Sequence, residues 1–292
     1  MISIIIPALN EEKEILFLLK SIKEQSFKGD YEIIVADNNS SDRTVEVAKQ
    51  YGCRISSGGN PAEGRNKGAL KAKGDLLLFV DADTVLPCDF LENSIDEFKK
   101  RNLDVASFFL SPKEKSMFLK IIFDLFYLFY NLFPALIGEK FIPHAANTIL
   151  VKKEMHQKLN GFDETIVLCE DYFYVSDRAR IGKFGLIKSS YIFFSTRRFK
   201  TEGIFTYCLK CLWMEFYILV FGPIRTNIFN YKFDHYKRLK EKSFLKKMEK
   251  SLIRFLREFI SFVGILFSLP IVAFVFFLTI FLKILKYKDI EN

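Results

Sequence analysis

Short apolar runs alternate with helical patterns across the first 110 residues of this 292-residue chain. The runs at 2–6, 32–36 and 76–80 are rich in Ile, Leu and Val, as strands buried on both faces usually are. Strand–helix alternation of this kind predicts an α/β fold in which helices cover both faces of a parallel sheet. The predicted strands are 2–6, 32–36, 54–56 and 76–80, and the predicted helices are 11–25, 42–51 and 61–71.

Polar residues crowd the positions that follow three of these strands. A single acidic turn is weak support for a site, because Asp and Asn also form turns and helix caps. Three such turns at the carboxyl edge of one sheet predict a binding site, since ligands of open α/β sheets bind there. The polar positions include Asn10 and Glu11 after the first strand, Asp37 and Asn39 after the second, and Asp81 and Asp83 after 76–80.

Asp81 and Asp83 lie two positions apart directly after an apolar run. Two carboxylates so placed are suited to a hard divalent cation, with phosphate oxygens completing its ligands. We therefore predict a Mg²⁺ or Mn²⁺ site, in which the cation would offset charge on a departing diphosphate. The alternative is a solvated turn without a ligand.

Residues 259–282 form a 24-residue stretch without a charged side chain. At about 1.5 Å per helical residue it exceeds the ~30 Å hydrocarbon core of a bilayer. Pro270 lies within the stretch, so a kinked span and a re-entrant helix both fit the sequence. The alternative is a helix buried in a protein core, although a helix that is apolar on all sides suits a small soluble domain poorly.

The net charge of +8 is concentrated just before this stretch, where residues 231–258 hold ten Lys or Arg against four acids. A basic cluster beside a membrane segment predicts contact with anionic lipid rather than with nucleic acid, for which no recognised motif is present. The segments 117–137 and 204–224 are predicted to be helices that lie in the membrane interface, or core helices with one solvent-exposed edge. Five cysteines without a disulfide or zinc pattern favour reduced thiols on the cytosolic side.

Several segments together resemble glycosyltransferase family 2, over about residues 1–200. They are SIIIPALNEE at 3–12, VADNNSSDRT at 35–44, GRNKG at 64–68, DAD at 81–83, GFDE at 161–164 and CEDY at 169–172. The resemblance implies the GT-A fold, a nucleotide-binding αβα sandwich, and inversion at the anomeric carbon. It also implies a nucleotide-sugar half at about 1–110 and an acceptor half at about 111–200.

The resemblance assigns roles residue by residue. Asp37 would bond the base, commonly uracil; Asp83, with Asp81, would hold the metal; and Asp171 would be the general base, with Glu170 beside it in the acceptor pocket. Ser195–Phe199 resembles a motif of membrane-associated members, so Arg197 and Arg198 would meet the diphosphate or a phosphorylated acceptor. The residues implied for nucleotide-sugar binding are Pro7, Ala8, Asn10, Glu11, Asp37, Asn39, Arg65 and Asp81.

The resemblance, taken with the apolar and basic segments, implies an inverting, metal-assisted glycosyltransferase at the cytoplasmic face of the cell membrane. The donor would be a nucleotide sugar, with UDP-sugars favoured, and the acceptor a lipid-linked or membrane-associated hydroxyl. After the catalytic domain we expect a membrane-interface region at 201–258, the apolar segment at 259–282 and a short basic tail at 283–292. The alternatives are a polyprenyl-phosphate sugar synthase, a membrane-anchored nucleotide-sugar-binding protein without turnover, and a nucleotidyltransferase, which the lack of a Gly-rich phosphate loop disfavours.

Overall fold

The structure is a computed structural model. It describes residues 1–113 and 147–197, and within 210–227 the positions 210–211, 213–214, 217–218 and 220–227. The chain divides into two compact units. The first comprises Met1–Arg198 with Pro223–Tyr231, and the second comprises Phe199–Gly222 with Lys232–Asn292.

Strands and helices alternate in the first unit through its first 100 residues, as the sequence pattern predicts. The strands are β1 (Ile2–Ala8), β2 (Tyr31–Asp37), β3 (Arg54–Ser57), β4 (Leu76–Val80), β5 (Thr84–Val85), β6 (Val105–Pro112), β7 (Thr148–Lys152) and β8 (Phe184–Phe194). The described helices are α1 (Glu12–Lys23), α2 (Thr44–Gln50), α3 (Pro61–Lys71), α4 (Phe90–Lys100), α5 (Lys153–Lys158) and α6 (Glu170–Ile181).

One sheet with the order β3-β2-β1-β4-β7-β6-β8-β5 joins all eight of these strands. The four strands of the predicted parallel sheet are parallel, in the order β3-β2-β1-β4. The sheet as a whole is mixed, because β7 runs antiparallel to both β4 and β6. The prediction of a parallel sheet is therefore right for the residues on which it rested and does not extend to the strands after them.

Each face of the sheet carries its own hydrophobic core. Along β1, Ile4 and Ile6 point into one core, and Ile5 points into the other, as the alternation of strand side chains requires. The first core also takes side chains from α1, α2 and α4, and the second takes them from α3, α5 and α6. The first unit is thus the predicted αβα sandwich, with helices on both faces of the sheet.

Several sequence predictions fall outside the described residues. They are the interfacial helix at 117–137, most of the one at 204–224, the basic segment at 231–258, the apolar stretch at 259–282, the tail at 283–292 and the side chain of Arg198. Within the part of the chain that the structure describes, no helix combines the length and the apolar character needed to cross a bilayer.

Helix α3 lies close against β1 because it presents glycine to the sheet. A Cβ atom added at Gly68 would lie 2.5 Å from Cγ2 of Ile5, which is closer than real Cβ atoms approach a neighbour. One turn earlier, a Cβ atom at Gly64 would lie 3.4 Å from Cβ of Pro7, at the edge of ordinary contact. Substituting Ala for either glycine changes helix propensity in the same way, but only Gly68 has a neighbour that is too close for a methyl group. A comparison of the two variants therefore separates the effect of close packing from that of helix propensity.

We predict that Gly68→Ala lowers the free energy of unfolding by about 1–2 kcal/mol. Overpacking a core costs about 1–3 kcal/mol, and replacing a helical Gly with Ala returns up to about 1 kcal/mol. Gly64→Ala should leave stability unchanged or raise it. Urea unfolding of the two variants beside the parent chain measures the difference, and equal stability of both would contradict the close packing of α3 on β1.

Candidate active site

The loops after β1 and β2 are tied to each other at the carboxyl edge of the sheet. Asn10 and Asn39 both adopt a left-handed backbone conformation, with φ of 54°, which Asn tolerates better than most residues. The backbone N–H of Asn10 donates to Oγ of Ser40 at 2.9 Å, and Oδ1 of Asn10 accepts from the N–H of Ser41 at 2.7 Å. The two predicted polar turns therefore form one connected surface.

Asp37 presents an acceptor atom at this surface. Its Oδ2 accepts from the N–H of Ser40 at 3.0 Å, whereas Oδ1 is buried and has no hydrogen-bond partner among the described residues. A buried acceptor without a donor is costly, so a ligand donor there would be favourable. Pro7 and Ala8 lie inside β1, paired with Ala36 and Asp37, rather than in the loop where the sequence pattern puts them.

Arg65 is buried between two carboxylates that come from different parts of the chain. Its side chain is only 4% exposed, and its guanidinium bonds Oδ1 of Asp81 at 2.7 Å and Oε1 of Glu170 at 2.5 Å. The guanidinium carbon also lies 5.3 Å from the ring centre of Phe162. Arg65 thus links Asp81, which is predicted to lie at the sugar-donor site, to Glu170, which is predicted to lie in the acceptor pocket.

Arg197 makes a second bridge across the same edge. It bonds both carboxylate oxygens of Glu11, at 2.9 and 2.7 Å, and lies 3.8 Å from Oδ2 of Asp83. Burial raises the pKa of Glu11 to about 7, although the bonds from Arg197 act in the opposite direction. Arg197 follows β8, so the last described strand of the sheet brings a cation to the loop after its first strand.

Asp81 and Asp83 fit a divalent cation in chemistry and in exposure. Their side chains are 30% and 21% exposed, so each keeps carboxylate surface open beside its arginine contact. The backbone of the turn that carries both aspartates is held in place, because the N–H of Asp81 donates to the carbonyl of Asn147 at 3.1 Å. The described residues contain no group of three or more His, Cys, Asp or Glu side chains placed to bind a metal. The two aspartates would therefore share a Mg²⁺ or Mn²⁺ ion with donor phosphates.

Glu170 and Asp171 form the first turn of α6. The preceding residue, Cys169, has a left-handed backbone with φ of 59°, an uncommon conformation for Cys that redirects the chain into the helix. Burial, and then the neighbouring charge of Glu170, raise the pKa of Asp171 to about 7, and Arg65 opposes the shift. A carboxylate whose pKa lies near neutrality is suited to accept and release a proton.

A groove of about 440 Å³ runs along α6 and shares Glu170 with this turn. Its walls combine the rings of Phe162, Phe173 and Tyr174 with the carboxyl group of Asp177. Phe162 and Tyr174 stack with their ring centres 3.7 Å apart, so one wall is a rigid aromatic surface. Sequence patterns do not reveal this groove, because its two sides are a loop and one face of a helix.

Comparison with known proteins matches the first part of the chain to a family. Residues 3–136 match the model described as glycosyl transferase family 2. The 4,4'-diaponeurosporenoate glycosyltransferase of Staphylococcus haemolyticus is 42% identical over 94 residues, which cover 29% of this chain and 24% of that protein. The Staphylococcus aureus poly(ribitol-phosphate) beta-N-acetylglucosaminyltransferase TarS is 30% identical over 112 residues, which cover 35% of this chain and 20% of TarS. The matches thus span a quarter or less of these curated relatives.

Solved structures share the fold at low sequence identity. Staphylococcus aureus TarS 1–349, in complex with UDP-GlcNAc, superimposes with a TM-score of 0.54 and 17% identity, covering 81% of this chain and 77% of that one. A mannosyltransferase from Pyrobaculum calidifontis, in complex with GDP-Man and Mn²⁺, gives 0.55 and 18%, covering 76% and 70%. Residues 3–136 therefore match glycosyl transferase family 2, and the solved structures show that this chain shares their fold.

Proposed function

We propose that the protein transfers a sugar, with inversion, from a nucleoside-diphosphate sugar to an acceptor hydroxyl. The observation that carries this proposal is the chain of contacts from Asp81 through Arg65 to Glu170, beside Asp171. It brings two carboxylates suited to a cation and one suited to proton transfer to the same edge of the sheet. The complexes of TarS with UDP-GlcNAc and of the mannosyltransferase with GDP-Man and Mn²⁺ support a nucleotide-sugar donor and a divalent cation.

The donor would lie along the loops after β1, β2 and β4. Oδ1 of Asp37 is the acceptor available to an N–H of the base, and uracil carries one. Asp81 and Asp83 would hold the cation, which neutralises charge on the diphosphate. Arg197 lies beside Asp83, so its guanidinium is within reach of the same phosphates after a small rearrangement of its pair with Glu11.

Asp171 would accept the proton of the acceptor hydroxyl as that oxygen attacks the anomeric carbon. Its raised pKa keeps the proton transfer close to balanced at neutral pH. A phosphate acceptor is already anionic and needs no base, so this carboxylate favours a hydroxyl. The groove that shares Glu170 would receive the acceptor, since it opens beside the proposed base.

The direct test is nucleoside diphosphate release from a panel of UDP- and GDP-sugars by the full-length protein purified in detergent. The panel is run with and without membrane lipid extract. Release that rises with the extract supports the transferase and its lipid-associated acceptor. The absence of release from every donor under both conditions contradicts the proposed reaction.

The metal assignment predicts that Asp83→Ala lowers turnover to near background without unfolding the protein, because Asp83 lies on a partly exposed loop. Asp75→Ala is the matched control, since Asp75 lies before β4 at the opposite end of the same strand and its side chain is 92% exposed. Titration with Mn²⁺ in the presence of UDP should show weakened metal binding for the first variant alone. Full activity of Asp83→Ala, or of the parent chain in excess chelator, would contradict the assignment.

The base assignment predicts that Asp171→Asn lowers kcat by about 10²-fold or more, in line with general-base contributions, and leaves UDP affinity nearly unchanged. Asp96→Asn, on the exposed face of α4, is the control. The parent enzyme should lose activity as pH falls through about 7, because protonated Asp171 accepts no proton. Normal turnover of Asp171→Asn would favour a phosphate acceptor instead.

For attachment we propose that residues 259–282 anchor the chain and that the basic segment 231–258 holds it on anionic lipid at the cytoplasmic face. Each basic residue near such a surface contributes on the order of 1 kcal/mol. A chain ending at Glu258 should then bind anionic vesicles at low salt and leave them as salt rises, since the Debye length is about 10 Å at 0.1 M. Vesicle flotation at two salt concentrations tests this, and the full-length chain should resist the wash. A full-length chain that stays in solution without detergent would contradict the anchor.

A further inference from the structure

A segment from far along the chain is paired with the loop that leads into α6. The segment Pro223–Tyr231 belongs to the first unit, although residues 199–222 of the second unit precede it in sequence. Ile224 is fully buried and forms an isolated antiparallel bridge with Leu168. Its carbonyl accepts a hydrogen bond of 2.8 Å from the N–H of Val167. We call residues 223–227 the strap.

The strap also holds this loop through charge. Nη1 of Arg225 lies 3.0 Å from Oδ2 of Asp163, and the other carboxylate oxygen of Asp163 accepts from the N–H of Thr165 at 3.0 Å. Bonds from Thr165 and from Arg225 lower the pKa of Asp163, so it is ionised at neutral pH. Arg225 therefore contacts the start of the loop 163–169, and Ile224 contacts its end.

Helix α3 holds the opposite side of the same loop. The amide of Asn66 makes two bonds to the backbone of Phe162, donating to its carbonyl at 2.9 Å and accepting from its N–H at 2.8 Å. Nδ2 of Asn60 donates to the carbonyl of Glu164 at 3.0 Å. The loop is thus clamped between α3, which also carries Arg65, and the strap.

The clamp ends immediately before the catalytic turn. Leu168, which pairs with Ile224, is followed directly by Cys169, whose left-handed backbone turns the chain into Glu170 and Asp171. A non-glycine residue in that conformation is strained and persists only where its surroundings fix it. The bridge to Ile224 is a fixed contact next to this strained residue.

We propose that Ile224 and Arg225 are positioning residues that set the Glu170–Asp171 turn for proton transfer. The catalytic consequence rests on the proposed function, because it takes Asp171 as the base. Neither residue reaches the reacting atoms; each acts through the loop 163–169. A displacement of about 1 Å at a catalytic group is enough to cost about 10²-fold in rate, so loss of the strap should lower turnover more than it lowers donor binding.

The test compares Ile224→Ala and Arg225→Gln with matched controls in the full-length protein. Ile95→Ala removes the same atoms from a buried site on α4, and Arg54→Gln breaks an ion pair with Glu32 at the opposite edge of the sheet. Hydrogen exchange of peptides covering 165–172 reports the turn directly, since the N–H of Val167 is the donor to Ile224. Peptides covering β1 report global opening, UDP titration reports donor binding, and nucleoside diphosphate release reports turnover.

In Ile224→Ala we expect exchange at 165–172 to rise at least tenfold while β1 is unchanged, and kcat to fall at least tenfold with UDP affinity within about twofold. Arg225→Gln should show both effects at about threefold, and Arg54→Gln neither. Exchange at 165–172 no faster than in Ile95→Ala would overturn the proposal. Faster exchange with unchanged kcat would overturn it too, reducing the strap to a stabilising contact. If the parent chain releases no nucleoside diphosphate, the proposed function fails, and the exchange measurement alone decides whether the strap positions the turn.

Discussion

The buried guanidinium of Arg65 is the interaction on which the arrangement of the site depends. Taking a charge out of water costs several kcal/mol unless oppositely charged groups surround it, and Asp81 and Glu170 supply that compensation. Because these partners lie 16 and 105 positions away, satisfying one arginine fixes the distance between the loop after β4 and the start of α6. Removing either carboxylate would leave a buried charge with half of its compensation, so the three residues are expected to act as a unit.

Arg197 compensates carboxylate charge in the same way on the other side of the site. Glu11, Asp81, Asp83 and Glu170 would repel one another at one sheet edge, and the two arginines divide these carboxylates between them. A donor diphosphate with a cation brings both signs of charge to this edge, so the ion pairs would be redistributed upon binding. Arg65 is the more constrained of the two, since it is more deeply buried than Arg197.

Predictions from the sequence succeed where the determinants are local. The strands β1–β4 and the helices between them follow from apolar runs and helical spacing, and the polar turns at Asp37 and Asp81 follow from strand ends. The direction of β7 is not encoded in its own short apolar run, because strand direction depends on pairing with distant strands. The bonds of Arg65 and the pairing of Ile224 with Leu168 were missed for the same reason, since nothing near these residues in sequence marks their partners. The roles of the site residues and the membrane segments stay predictions.

Left-handed residues show where local rules stop being sufficient. Asn10, Asn39 and Asn147 all have positive φ, and Asn is a residue that a sequence reader expects in such turns. Cys169 has the same conformation without that local preference, so tertiary contacts must hold it. The loop before Cys169 is bonded to α3 at Phe162 and to the strap at Leu168, and Glu170 and Asp171 follow Cys169 directly. A conformation that the local sequence does not favour therefore lies between a loop bonded to two distant segments and the carboxylates assigned to chemistry, as expected where position matters more than local stability.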